Sequence, residues 1–405
     1  MRDFQQFLRI VDPAVRVTVL LVLIVVGWLV SRALVSIACG LLLAHVLVTG
    51  WTHRHAARGP RALLWLTLPA VVTGLSGLVS TDLGTWSLEA WQKLPLAILP
   101  VALWQTPPDS RSLRTVRTAL IALMVAAGLW VLANYALNFQ AIQAAIGQGR
   151  SIPVPNGQHV RFSLLAAVAA ALAAIDAVRS GPGIRRHLLA IAAGVLFALV
   201  HVLAVRTGLV ALYAMAAVLL VRGIADRPTR WPSLAALVLV AAAPVIAYKT
   251  VPSVQKRIAY MRYDLRQMQA GEIGANVDGR RLRSWQVGRD LVAAAPVFGY
   301  GAGDLARVLD AHYQERYPDV APANRKYPHN QFLFTALEFG LVGTALLVLS
   351  LVIPFLRAPP MRNAGFTCVW VAFVASMLVE TTLEGQIGMT AWAVLASVTL
   401  MRHAR

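Results

Sequence analysis

Charge is scarce in this chain: Asp, Glu, Lys and Arg make up 14% of its 405 residues, whereas a soluble domain carries about a quarter. Acidic side chains are the scarcer kind, 18 against 37 Lys and Arg. Cysteine is nearly absent. Cys39 and Cys368 each lie inside an apolar run, which argues against a disulfide. Missing too are a Walker phosphate loop, a zinc-ligand spacing, a Ser-His-Asp spacing and a paired-carboxylate motif. Water therefore cannot be the main solvent of this protein, and the common soluble hydrolase and nucleotide-binding signatures are excluded.

What fills the chain is apolar: 58% of residues are hydrophobic, in runs matching the roughly twenty residues a helix needs to cross a bilayer. Apolar stretches near 14–29, 33–50, 62–79, 92–105, 115–137, 162–179, 187–203, 206–222, 231–248, 333–356, 364–381 and 386–401 predict an all-α integral membrane protein of about twelve spans. The polar Met1–Pro13 stretch before two closely spaced runs is not read as a cleaved signal peptide.

The net charge of +19 sits mostly in short Arg clusters between spans, and every second loop holds one. One set contains Arg2 and Arg9, Arg54 to Arg61, Arg111 to Arg117, Arg179 to Arg186, Arg222 to Arg230, Arg357 and Arg362, and Arg402 and Arg405. The alternate loops hold Arg32, Lys93, Arg150 with Arg161, and Arg206. Because cytoplasmic loops are enriched in Lys and Arg, both termini are expected in the cytoplasm and residues 249–332 outside it. The chain thus divides into nine spans over 1–248, a large loop over 249–332 and three spans over 333–405. The cationic excess suits anionic headgroups and phosphorylated substrates rather than nucleic acid.

The large loop mixes thirteen Lys or Arg and eight Asp or Glu with Tyr, Trp and Pro, unlike a flexible tether. A structureless loop of that length in a compact protein is usually functional. Lys256 to Met268 reads as an amphipathic helix.

Three motifs converge on the outer face. Arg206-Thr207-Gly208 occupies a tight turn between two spans; its cation either snorkels to headgroups or meets a phosphate at membrane depth. Asp278-Gly279-Arg280-Arg281-Leu282-Arg283-Ser284-Trp285 puts Arg281 and Trp285 on one helix face. Pro296 and Gly299-Tyr300-Gly301 follow as a stop and tight loop whose backbone N–H groups could approach an anion. Tyr327-Pro328-His329-Asn330 sets His329 at the mouth of the next span, with Glu338, Gly340 and Gly343 further along. A lone interfacial His is more often structural. Beside two arginines it suits a general base whose reaction releases an anion. Arg161, within Gln158-His159-Val160-Arg161-Phe162, is a secondary ligand candidate. Asp82 and Glu89 are too sparse for a metal site. His45, His201 and Arg32 read as packing or snorkelling residues.

Taken in order, Arg206-Thr207-Gly208, Arg281 to Trp285 with Gly299-Tyr300-Gly301, and His329-Asn330 leading to Glu338-Phe339-Gly340-Leu341-Val342-Gly343 resemble the bacterial O-antigen ligase family. The wider superfamily includes O-antigen polymerases and O-linked protein oligosaccharyltransferases. The resemblance implies a membrane-embedded glycosyltransferase of the bacterial inner membrane. Such an enzyme takes a glycan from undecaprenyl pyrophosphate at the periplasmic face and passes it to a hydroxyl of the lipid A core, completing lipopolysaccharide. It further implies His329, Arg206 and Arg281 as catalytic, with Arg280, Arg161, Asn330 and Glu338 as substrate-binding candidates. Arg280 and Arg281 are adjacent, and the spacing to Trp285 favours Arg281. Pyrophosphate is already a good leaving group, so an inverting transfer with no metal or other cofactor is expected. A transporter or lipid flippase is the reading from another class, although transporters gather functional charge near the midplane.

Overall fold

The computed structural model describes residues 12–52, 59–270, 277–358 and 363–401. Among the described residues every regular element is helical. The first half supplies α1 (Pro13–Val30), α2 (Arg32–Thr52), the short α3 (Ala62–Trp65) and α4 (Leu68–Leu75), α5 (Leu83–Lys93), α6 (Pro95–Gln105), α7 (Ser110–Leu137) and α8 (Phe139–Gly147). The second supplies α9 (His159–Arg179), α10 (Ile184–Leu203), α11 (Arg206–Ala225), α12 (Arg230–Thr250), α13 (Pro252–Gln269), α14 (Val277–Ala294), α15 (Leu305–Arg316), α16 (Gln331–Arg357), α17 (Ala364–Val379) and α18 (Gln386–Met401).

Among the described residues, eight helices are long and apolar enough to cross a membrane: α1, α2, α7, α9, α10, α11, the α12 region and α16. The other expected spans are shorter apolar helices, and their sequences say why. The 62–79 run breaks just before Pro69, and α6 opens at Pro95 with Pro100 inside it. Proline removes a backbone donor and crowds the preceding turn. The chain is a multi-pass, all-α membrane protein. Arg2, Arg9, Arg54, Arg58, Arg362, Arg402 and Arg405, which entered the charge pattern, lie outside the described residues.

The bundle is built around α9. Its Ala-rich sequence is apolar on every side, the pattern of a fully surrounded helix, and 83% of its apolar window is buried against 6% for the α12 region. Helices α10 and α11 pack on α9, α17 packs on α11, and α18 joins α17 to α6. The motif glycine Gly208 makes one of these approaches possible: a Cβ there would fall 1.8 Å from Ser163 Oγ on α9. An ion pair between Arg117 and Asp176, nearly inaccessible, ties α7 to α9. The described residues of the 249–332 segment are largely helical: α13, α14 and α15 carry most of them, and α13 covers the expected amphipathic helix.

Candidate functional site

A cavity of about 560 Å³ opens where the N-terminal ends of α9 and α11 meet the 149–157 loop, α13 and α14. Arg150, Arg206, Arg257 and Arg281 line it, facing Asp264, Asp278 and Glu380. Burial, with repulsion from Asp278, pushes the Asp264 carboxyl above its ordinary value despite the Asp278 N–H nearby. A concave site with excess fixed cations focuses field on an anion.

Each arginine is held by its element. Arg206 is the first residue of α11, delivered by a turn in which Ala204 adopts a left-handed conformation (φ 50°). Its guanidinium donates to both carboxylate oxygens of Asp278 at 2.8 and 2.7 Å. Arg257, on α13, donates to Ser151 Oγ at 2.9 Å. Arg281, on α14, donates to Glu380 Oε1. Arg280 turns elsewhere, to Asn324 at 3.4 Å, and does not line the cavity.

Glu380, just beyond the end of α17, connects the motifs. Its other oxygen, Oε2, lies 3.1 Å from His329 Nδ1. Burial raises the Glu380 carboxyl, but the His329 hydrogen bond and the charges of Arg281, His329 and Arg161 outweigh it, and the net shift is downward. An ionised carboxylate at Nδ1 fixes the tautomer in which that nitrogen carries the proton. Nε2 is then the basic nitrogen. A base oriented by a carboxylate is the arrangement that activates hydroxyl nucleophiles on many folds.

The remaining candidates lie around this centre. Asn330 caps α16 by accepting from Leu333 N at 2.9 Å and donates to Leu378 O at 2.9 Å, which holds His329 at the helix mouth. Arg161 donates to Thr381 O at 2.7 Å, and its Nη1 is buried without a partner. Glu338 sits in a different cluster, paired with Lys93 at 2.9 Å; Lys93 also reaches Glu384 at 2.8 Å. Gln331 ties this cluster to the same turn, donating to Glu384 at 2.7 Å and accepting from Leu383 N at 2.8 Å.

Residues 191–348, from α10 through most of α16, match the O-antigen ligase family. That match supports a member of the O-antigen ligase and polymerase superfamily. Members of that family are glycosyltransferase-like ligases and polymerases, which supports an enzyme of that general kind. No curated protein matches the chain.

The family-matched stretch also explains the glycines of the motif. Helix α16 is interrupted at Gly340, whose φ of 65° and ψ of −166° belong to glycine. The loop after α14 docks into that break: Tyr300 N and Gly301 N donate to Leu337 O and Glu338 O at 2.9 and 2.8 Å, and Leu341 N donates to Pro296 O at 2.8 Å. The N–H groups expected to approach an anion are instead engaged by the open helix, whose carbonyls need partners. The Gly-rich loop is thus a splint beneath the helix that follows His329.

Sequence reasoning missed Glu380, Arg257 and the Lys93–Glu338–Glu384 cluster. Glu380 left one usable signal, an acid at the end of an apolar run, where ionisable residues are rare and often functional. Arg257 was one cation among the thirteen Lys and Arg of its segment, and nothing local marks it.

Proposed function

We propose that the protein is an O-antigen ligase that transfers a glycan from undecaprenyl pyrophosphate to a hydroxyl of the lipid A core at the periplasmic face. The observation that carries this reading is Glu380 joining His329 to Arg281 at the wall of the four-arginine cavity. In this reading Arg206 and Arg281, with Arg257 and Arg150 behind them, hold the donor pyrophosphate, to which guanidinium offers paired donors. Asp278 orients Arg206. His329 Nε2 takes the proton of the acceptor hydroxyl as its oxygen forms a bond to the anomeric carbon.

The bond from that carbon to the phosphate oxygen breaks on the opposite face, so the configuration inverts. The electron pair leaves on the pyrophosphate, where preorganised cations offset it without reorganisation cost. The Glu380 carboxylate meanwhile stabilises the imidazolium that forms.

A deletion strain tests the reading. Polymer lost from the lipid A core while it accumulates on the lipid carrier identifies the ligase. Single-unit glycan on the core identifies a polymerase instead, and unmodified protein acceptors an oligosaccharyltransferase. If His329→Ala in vesicles keeps full transfer activity but stops lipid movement, the enzyme reading is wrong and a transporter takes its place.

A further inference from the structure

The other end of the bundle carries two cavities that transfer chemistry does not use. Helix α11 runs from Arg206 at the candidate site to Arg222 near its far end, about 24 Å away at 1.5 Å per residue. There a groove of about 1060 Å³ lies among α9, α10, α11 and α12, with Ala170, Ala174, Phe197 and Met215 on its walls and Arg179, Arg186 and Arg222 also lining it. A second cavity, of about 510 Å³, shares Arg179 and adds Arg114 and Arg185.

The carboxylates lining these cavities are Asp176 and Asp226. Asp176 is engaged by Arg117, and Asp226 accepts from Thr229 at 3.3 Å. Five guanidinium groups on four helices, α7, α9, α10 and α11, therefore face the same two cavities, where the acids are Asp176 and Asp226.

The shape of the larger cavity is as telling as its charge. The small side chains of α9 and of Ala236 on α12 leave space where bulkier residues would close it. Along α9 the groove runs from Arg179 to Ala170, about 13 Å, close to the apolar depth of one leaflet, roughly 15 Å. Its outer wall belongs to the helix region least covered by protein. Inorganic phosphate would satisfy the arginines and leave the apolar wall uncovered. A zwitterionic headgroup would bring an ammonium into the cation cluster.

We propose that this groove is a binding site for an anionic phospholipid of the leaflet opposite the Arg206 cavity, its phosphate at Arg179 and the neighbouring arginines and one acyl chain along the alanine face of α9. Phosphate accepts paired hydrogen bonds from guanidinium, and basic residues clustered near an anionic leaflet are attracted to it. The site stands independently of the transfer reaction.

The test uses the full-length protein in detergent with phosphatidylglycerol or phosphatidylethanolamine added, read by native mass spectrometry and thermal melting. Retention of phosphatidylglycerol at least tenfold over phosphatidylethanolamine is expected, with a melting rise that inorganic phosphate at equal concentration does not reproduce. A phosphatidylglycerol carrying a photoreactive acyl chain should label peptides within 170–179 and 212–222. The combined R179Q, R186Q and R222Q variant should lose the preference, and A174F should lose the labelling. Equal retention of the two lipids, protection by phosphate alone, labelling confined to other helices, or a dimer whose second copy fills the groove would each overturn the proposal. The labelling arm uses the unmodified protein, so a variant that fails to fold does not prevent the decision.

Discussion

At the scale of single residues, the proposed site is an imidazole held by a carboxylate and flanked by arginines. Replacing His329 with Ala should lower the transfer rate by about 10²–10⁴-fold, the usual contribution of a general base. Arg206→Ala and Arg281→Ala should each cost about 3–4 kcal/mol in transition-state terms, measured as kcat/KM with a lipid pyrophosphate donor; wild-type rates in both would remove the pyrophosphate assignment. Glu380 carries a pH consequence. Its carboxyl is depressed from an ordinary value of 4.5, so it lends stability at pH above that value and loses it as pH falls through the lower folded value. Glu380→Gln should therefore soften the decline in melting temperature on acidification below about pH 4.5 and reduce transfer at neutral pH.

At the scale of elements, the broken helix α16 is the part on which the site's geometry rests. A Cβ on Gly340 would lie 2.1 Å from Val297 O, at a backbone angle strained for any L side chain. Gly340→Ala should cost about 1–3 kcal/mol from backbone strain and also displace the docked loop. A lower melting temperature together with reduced transfer is the expected signature, whereas unchanged values would show that the break tolerates a side chain. The Lys93–Glu338–Glu384 cluster fastens the 382–384 turn to α5 and α16. Lys93 and Glu338 are only 4% and 3% exposed, and removing one member of a buried pair costs about 3–5 kcal/mol because the other charge is stranded. Lys93→Ala should show that loss in thermal unfolding and, by loosening the turn that begins at Glu380, lower transfer as well.

At the scale of the whole molecule, charge is sorted along the bundle: Arg206 and His159 begin helices at one end, while Arg179, Arg185, Arg186 and Arg222 lie at the other. If the basic end is cytoplasmic, a reporter fused after residue 401 is active in the cytoplasm and one inserted between 270 and 277 is active in the periplasm. The reverse pattern would move the proposed reaction to the wrong leaflet. Because arginines supply the positive charge in the proposed step, transfer by purified protein should survive EDTA; activity lost to EDTA and restored by magnesium would refute the metal-independent step.

The sequence by itself determined the solvent, the all-helical class and the motifs, because apolar length and punctuation are local properties that a bilayer reads directly. It also marked Arg206, Arg281 and His329, whose residue types stand out where they occur. Tertiary structure decided the rest. It put Arg281, which the spacing to Trp285 had favoured, and not Arg280 on the cavity wall, since adjacent helical residues point about 100° apart and which one faces inward depends on how α14 packs. It turned the Gly-rich loop from an anion cradle into a support for the break at Gly340. It brought Glu380, 51 residues beyond His329, into contact with that imidazole, a pairing that no spacing along the chain encodes.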